Sequence, residues 1–182
     1  PNCWAKVGAG GTTNTQTGSA NSAPNTMYFA SFSTTSLAVV STQQVSNLGA
    51  GTNRIKFDMR ANFTVGGVVE FGYLTDPTDA TTFVSLTTFT ASALTYSTYQ
   101  YSPPAGSYSD YPAFRHTGSP GNSVLIDNVV WEANPACADQ TGVVFSAVTS
   151  SGADTSWDAI TGAVGYEYAV TTSATPPARS EE

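Results

Sequence analysis

Charge is scarce in this sequence. Asp, Glu, Lys and Arg make up only 10% of its 182 residues, against roughly a quarter in an average soluble domain, so its surface is made largely by other groups. The balance is acidic, with 13 carboxylates against 6 basic side chains and a formal charge of -7. Lys6, Arg54, Lys56, Arg60, Arg115 and Arg179 form neither a run nor a stripe, which argues against a nucleic-acid partner, because a phosphate backbone demands a concentrated positive face. The single histidine, His116, excludes a histidine pair for zinc and leaves a hydrolase triad one imidazole to draw on. Cys3 and Cys137 are too few for a disulfide framework and too far apart for a zinc motif, so one bridge is the most they allow. No run approaches the roughly 20 apolar residues that span a bilayer. The opening Pro1-Asn2-Cys3-Trp4 has neither the basic nor the apolar region of a signal peptide. The chain reads as soluble, without membrane insertion, and as processed or cut from something longer.

What is present points to strands. Serine and threonine form about a quarter of the chain, and 16 Gly and 10 Pro accompany them, a mixture that suits short strands and many turns. Apolar residues recur at every second position and nowhere at helical spacing. In Arg54-Ile55-Lys56-Phe57-Asp58-Met59-Arg60-Ala61 every odd position is apolar and every even one charged, the pattern of a half-buried strand. Further strands are expected over 27–32, 36–46, 68–75, 82–91, 95–102, 110–117 and 123–132. Turn-rich segments such as Asp76-Pro77-Thr78-Asp79 and Gly118-Ser119-Pro120-Gly121-Asn122 separate them. About eight strands before residue 133 suit a two-sheet sandwich.

The texture changes at Asn134-Pro135-Ala136-Cys137, a short proline-bearing link. Beyond it Val143-Val144-Phe145, Asp154-Thr155-Ser156-Trp157 and Tyr166-Glu167-Tyr168-Ala169-Val170 read as three short strands, fewer than half of the seven or so in an immunoglobulin-type or fibronectin-type sandwich. Two domains are therefore expected, 1–133 and 134–182, the second incomplete.

Several stretches carry a family likeness. Asn2-Cys3-Trp4, Ser22-Ala23-Pro24-Asn25-Thr26-Met27-Tyr28-Phe29, Asn53-Arg54-Ile55-Lys56-Phe57, Val69-Glu70-Phe71-Gly72-Tyr73-Leu74-Thr75-Asp76-Pro77, Ala113-Phe114-Arg115-His116 and Leu125-Ile126-Asp127-Asn128-Val129-Val130-Trp131-Glu132 stand in the order found in cleaved-adhesin, or choice-of-anchor J, domains. The segment 1–133 resembles that family. Ser156-Trp157 followed by Gly162-Ala163-Val164-Gly165-Tyr166-Glu167-Tyr168 resembles the B-to-C strands of a fibronectin type III domain. The resemblance implies an all-β chain, a MAM-like jelly-roll β-sandwich followed by a partial fibronectin type III-like sandwich. Its context would be a large secreted or cell-surface protein of Bacteroidetes, exported by type IX secretion. It differs from the usual pattern in lacking the strand that precedes the Cys-Trp dipeptide, and in having Ser41-Thr42-Gln43-Gln44 where a Ser-Pro entry is usual.

The candidate sites follow from both kinds of reading. Asp127 interrupts the apolar run from Val124 to Trp131, and a carboxylate there must be solvated, paired or bound to a cation. In jelly rolls of the resembled kind the last strand often gives an aspartate to a structural calcium ion, whose oxygen shell would otherwise come from partners that the sequence does not name. Asp76 and Asp79 have a chelating spacing, but Asp-Pro-x-Asp more often forms a turn with Asx hydrogen bonds. Tyr96, Tyr99, Tyr101, Tyr108 and Tyr111 look exposed and could stack on sugar faces, or pack across strands as ordinary sheet residues. Alternating Thr13, Thr15 and Thr17 do not continue into the ladder of an ice-binding face. His116 reads as structural, no Gly-x-Ser-x-Gly elbow or phosphate-cradling glycine loop is present, and nothing pairs Asp58, Glu70, Asp110 and Glu132 as glycosidase carboxylates. The resemblance also implies a Cys3–Cys137 bridge, since the ends of a jelly roll commonly lie close and an exported protein meets oxidising conditions. By chain entropy it would contribute about 4 to 5 kcal/mol.

The expectation is thus a non-catalytic extracellular module that binds a glycan or protein ligand and adjoins other modules of the same chain, with calcium as a structural ion. The alternatives are an accessory or targeting module of a secreted peptidase or glycoside hydrolase, and a stalk element without a ligand.

Overall fold

The computed structural model describes residues 4–135 and 142–158. The chain divides between Asn134 and Pro135 into two compact units.

The first unit is a sandwich of two five-stranded antiparallel sheets, and apart from two single-turn 3₁₀ segments its regular structure is all strand. Ten strands run in chain order: β1 (Ala5–Val7), β2 (Thr12–Thr17), β3 (Asn25–Ala30), β4 (Val39–Ser41), β5 (Asn53–Ala61), β6 (Val68–Leu74), β7 (Phe83–Thr90), β8 (Ser97–Tyr101), β9 (Pro112–His116) and β10 (Val124–Ala133). The first sheet has the order β1-β4-β9-β6-β7 and the second β2-β3-β10-β5-β8. The jelly-roll sandwich expected from the sequence is the fold observed.

The alternation in β5 shows why. Ile55, Phe57, Met59 and Ala61 are buried, and the charged residues between them lie on the other face. A strand can hide only one of its two faces in a sandwich. Phe57 sits at the centre, edge-on to Phe89 at 4.9 Å and to Phe114 at 5.1 Å, and stacked with Tyr99 at 5.8 Å. Offset and edge-on aromatic contacts of this kind add to simple area burial.

Three differences from the sequence expectation have physical causes. β1 and β2 were not foreseen. β2 reads Thr-Thr-Asn-Thr-Gln-Thr and lies at the edge of its sheet, where shallow burial requires no apolar alternation, so its alternating threonines record a strand and nothing more. The expected strand over 36–46 is ordered as a ladder only at Val39–Ser41, although Thr42 and Val45 still donate backbone hydrogen bonds to the Pro112 and Asp110 carbonyls. The segment 76–82 folds over the outer side of the first sheet, where Val7, Val39, Leu74, Phe83 and Ala113 form a second small apolar cluster.

In the second unit a strand β11 (Val144–Ser146) pairs antiparallel with β12 (Asp154–Ser156). The expected strand over 166–170 and both cysteines, Cys3 and Cys137, lie outside the described residues.

Candidate functional site

The outward face of the second sheet brings together Asp127 and Asp58, two of the carboxylates singled out from the sequence. β10 pairs with β3 on one side and β5 on the other, placing Asp127 directly opposite Asp58. Two carboxylates so placed repel unless each is held separately. Asp127 is 9% exposed and receives backbone N–H groups: Asn21 at 2.7 Å and Ser22 at 3.0 Å on one oxygen, Asn128 at 2.8 Å on the other. Asn128 can donate this way because it adopts a left-handed conformation, φ +50°, at the irregularity where the β10–β5 register shifts. Asparagine tolerates that region better than most residues.

Asp58 is held by side chains. Thr98 donates at 2.6 Å to one oxygen, and Asn21 and Asn128 each donate at 2.7 Å to the other. These bonds, that of Thr98 foremost, hold its carboxyl below the usual range for an aspartate. A glycosidase-type pair needs one carboxyl raised so that it carries a proton near neutrality. Asp58 is shifted the other way. Glu70 and Glu132 are engaged in ion pairs, with Arg115 at 2.6 Å and Arg54 at 2.7 Å.

The calcium expectation for Asp127 can be set against this geometry. Calcium takes oxygen ligands, whereas the nearest groups directed at Asp127 are three backbone N–H donors, with the Ser22 hydroxyl farther off at 3.5 Å. Among the described residues no group of three or more His, Cys, Asp or Glu side chains gathers at one point. The residues as arranged do not fit a calcium shell at Asp127. Asp76 and Asp79 are turn formers: each accepts the backbone N–H and hydroxyl of the residue two positions on, Thr78 and Thr81, at 2.7–2.8 Å.

The five tyrosines are not an exposed platform. Each is half-buried. Tyr99 stacks on Phe57 and gives its hydroxyl to the Thr90 carbonyl. Tyr101 meets Phe71 edge-on, and Tyr108 lies against Tyr73. Tyr111 packs on the small cluster outside the first sheet. Tyr96 lies under the Arg60 guanidinium, 5.4 Å from its ring centre, and its hydroxyl bonds Ser19 O and Thr26 Oγ1. It thereby reaches from β5 to β3 across β10, where the outward-facing Leu125 is fully buried. In the first unit, strongly exposed rings stand at Phe32 and Phe63, at 74% and 82%; Phe32 falls at the end of the strand expected over 27–32 but lies beyond β3, which stops at Ala30, and Phe63 lies in a loop.

Open hydrogen-bonding groups remain on this face. Among the described residues the Lys56 side chain has no hydrogen-bond partner, although its charge acts on Asp58, and Gln100 uses only its carbonyl oxygen, which accepts from Arg54 at 2.8 Å. Lys56 and Gln100 are register partners. On the far edge strand, the Asn14 and Gln16 side chains of β2 are likewise unengaged. Sequence reasoning missed this strip because none of these residues forms a motif.

His116 is fully buried. Its Nδ1 accepts from the Gly118 N–H at 3.0 Å, and its Nε2 lies 2.9 Å from the Asn122 carbonyl, which fixes a neutral tautomer protonated at Nε2. Burial holds its pKa below the ordinary histidine value. A cleft of about 110 Å³ lies between Trp4 and Trp131, well below the volume of most ligand pockets.

With this geometry in hand, the sandwich can be compared with solved structures. The K1 cleaved adhesin domain of Lys-gingipain from Porphyromonas gingivalis W83 superposes with a TM-score of 0.55 at 20% identity, covering 74% of this chain and 93% of that one. The chain shares the sandwich fold of cleaved adhesin domains. The K2 domain of Lys-gingipain matches equally, with a TM-score of 0.55 at 17% identity over 71% of this chain and 89% of that one. A Clostridium thermocellum xylanase 10B fragment of CBM22-1 and GH10 modules, solved with xylohexaose, gives a TM-score of 0.54 at 13% identity, over 75% of this chain and 27% of that one. No family model matches the sequence, and a search of curated proteins finds no relative. No helix among the described residues is long and apolar enough to cross a membrane.

Proposed function

We propose that the first unit is a non-catalytic recognition module that binds a glycan, working as one part of a larger secreted or cell-surface adhesin. The observation that carries this reading is the strip of polar side chains on the second sheet that keep open hydrogen-bonding groups among the described residues, the Lys56 ammonium and Gln100 amide NH₂ near one edge and Asn14 and Gln16 at the other. They stand on a framework whose carboxylates are already held. Polar ligands rich in hydroxyls are recognised by such fixed, unsatisfied groups. The fold is shared with adhesin domains and with a xylanase's CBM22 module, which is consistent with this use. The reading places the protein outside the cell, joined to neighbouring modules of its own chain.

A glycan array on the purified chain, followed by calorimetric titration of the hits, tests it. Binding that weakens about five-fold or more in the double variant Lys56→Ala/Gln100→Ala, with an unchanged melting temperature, is expected from the loss of two hydrogen-bonding groups. An array with no hits would remove the glycan reading.

The likeness to a module joined to a GH10 xylanase favours one alternative, a targeting module for a secreted enzyme. In that case the adjoining sequence carries the catalytic domain, and the hits are polysaccharides that this domain degrades.

A further inference from the structure

We infer that a second ligand site lies on the opposite side of the sandwich, in a groove of about 510 Å³ on the outer face of the first sheet, and that it takes a single residue of a neutral sugar through paired hydroxyls. This inference rests on the reading of the module as a glycan binder and gives that reading a second place to act.

The groove is built from three loops and a strand floor. It is lined by residues 8–10, 34–37 and 78–81, with Val39 and Arg115 beneath them on the sheet. Val39 and Arg115 are register partners on β4 and β9, so both side chains project from the same face of the sheet. Gly10 shapes one wall: a Cβ there would stand 2.3 Å from the Leu37 carbonyl oxygen, and only glycine allows the two loops to approach so closely.

Arg115 gives the groove its chemistry. Its side chain is 25% exposed. The guanidinium lies over the Phe83 ring, 4.3 Å from the ring centre. Its Nε donates to Glu70 at 2.6 Å. Both terminal NH₂ groups are left without a hydrogen bond, although a guanidinium presents five donors in a fixed fork. Asp79, which lines the same groove, uses one carboxylate oxygen for Thr81 and leaves the other without a donor. An open forked donor and an open acceptor in one groove can serve two hydroxyls of a sugar, one accepting and one donating. Thr34, Thr35 and Ser36 line the rim, and the half-buried Leu37 adds an apolar side chain beside them. The charge balance selects neutral ligands: Arg115 is already neutralised by Glu70, and Asp79 adds a negative charge that repels a carboxylate or sulfate. The volume lies within the range of small-molecule pockets, and the lack of an aromatic ring in the lining predicts weak binding.

The test is two-dimensional NMR of the isotope-labelled chain titrated with glucose, galactose, mannose, xylose and galacturonate separately. The expected result is saturable shifts for at least one neutral sugar at the Arg115 side chain and at the amides of 8–10 and 78–81. Arg115→Lys, which keeps the charge beside Glu70 but loses the fork, should weaken that binding about five-fold. Ser36→Trp, an exposed rim position, should abolish it by filling the groove while leaving the spectrum of the core unchanged. Shifts confined to Lys56, Gln100 and their neighbours would overturn this site and leave the glycan reading standing. Binding of galacturonate alone would overturn the neutral-ligand assignment, and the absence of shifts with every sugar would overturn both.

Discussion

Replacing Asp127 with alanine tests whether backbone amides or a metal ion hold the last strand of the sandwich. The substitution removes the acceptor for three backbone N–H groups, those of Asn21, Ser22 and Asn128, all within 3.0 Å. A hydrogen bond to a charged acceptor contributes about 1.5 to 3 kcal/mol when buried, and less where water can replace it. The aspartate is itself buried but its donors lie in partly exposed loops, so a total loss of about 2 to 4 kcal/mol is expected. For a unit of this size, that corresponds to a fall in melting temperature of about 6 to 16 °C. Asp127→Asn keeps one carbonyl oxygen but turns an NH₂ group toward an N–H, and should lose about half as much. The assay is thermal unfolding followed by circular dichroism, run with EDTA and again with millimolar calcium. The same loss in both buffers is expected. A loss seen only with calcium would show that an ion holds this carboxylate in solution, and the amide account would be refuted.

The remaining expectations concern the core, a buried histidine and the loop tips. Phe57→Ala removes the ring at the centre of the aromatic cluster and should cost about 3 to 5 kcal/mol, read from urea unfolding; a cost under 1 kcal/mol would mean that the cluster does not hold the sheets together. His116 favours its neutral form in the folded state, so the unfolded chain takes up a proton first as the pH falls. Its contribution to stability should be complete above about pH 6.5 and decline as the pH drops from there toward the lower folded-state pKa. His116→Gln should flatten the stability profile just below about pH 6.5, and an unchanged slope there would contradict the assignment. Phe63→Ser, at an 82% exposed position, should change stability by no more than about 0.5 kcal/mol; a large loss would place this ring in a contact.

Period-two alternation made much of the fold legible before any coordinates. Over 54–61 the pattern specified both the strand and its buried face, because a sandwich hides one side of each strand. The reading failed where burial is shallow, as in β2, whose threonines and amides lie on an edge strand. It also failed to tell a buried tyrosine from an exposed one. Tyr99 and Tyr101 occupy inward positions of β8 opposite Phe57 and Ile55, and alternation reports which residues share a face without saying which face turns inward.

The sites divide along the same line. Asp127 stood out in sequence because a carboxylate in an apolar run must be compensated. What compensates it comes from more than 100 positions away, in the loop carrying Asn21 and Ser22, and no local pattern records such a pairing. The groove at Arg115 is further still from sequence reasoning. Its walls and floor come from residues 8 to 115, and a segment expected to be a simple turn forms one of its sides. The amino-acid order by itself determined that the chain forms strands and which residues of β5 face the core, since these depend on neighbours in sequence. Only the tertiary structure decided which carboxylates are satisfied, which tyrosines turn inward and which arms of the Arg115 guanidinium are left open beside Asp79 in one groove. Those outcomes depend on which strands lie side by side, and that is fixed by packing across the whole sandwich.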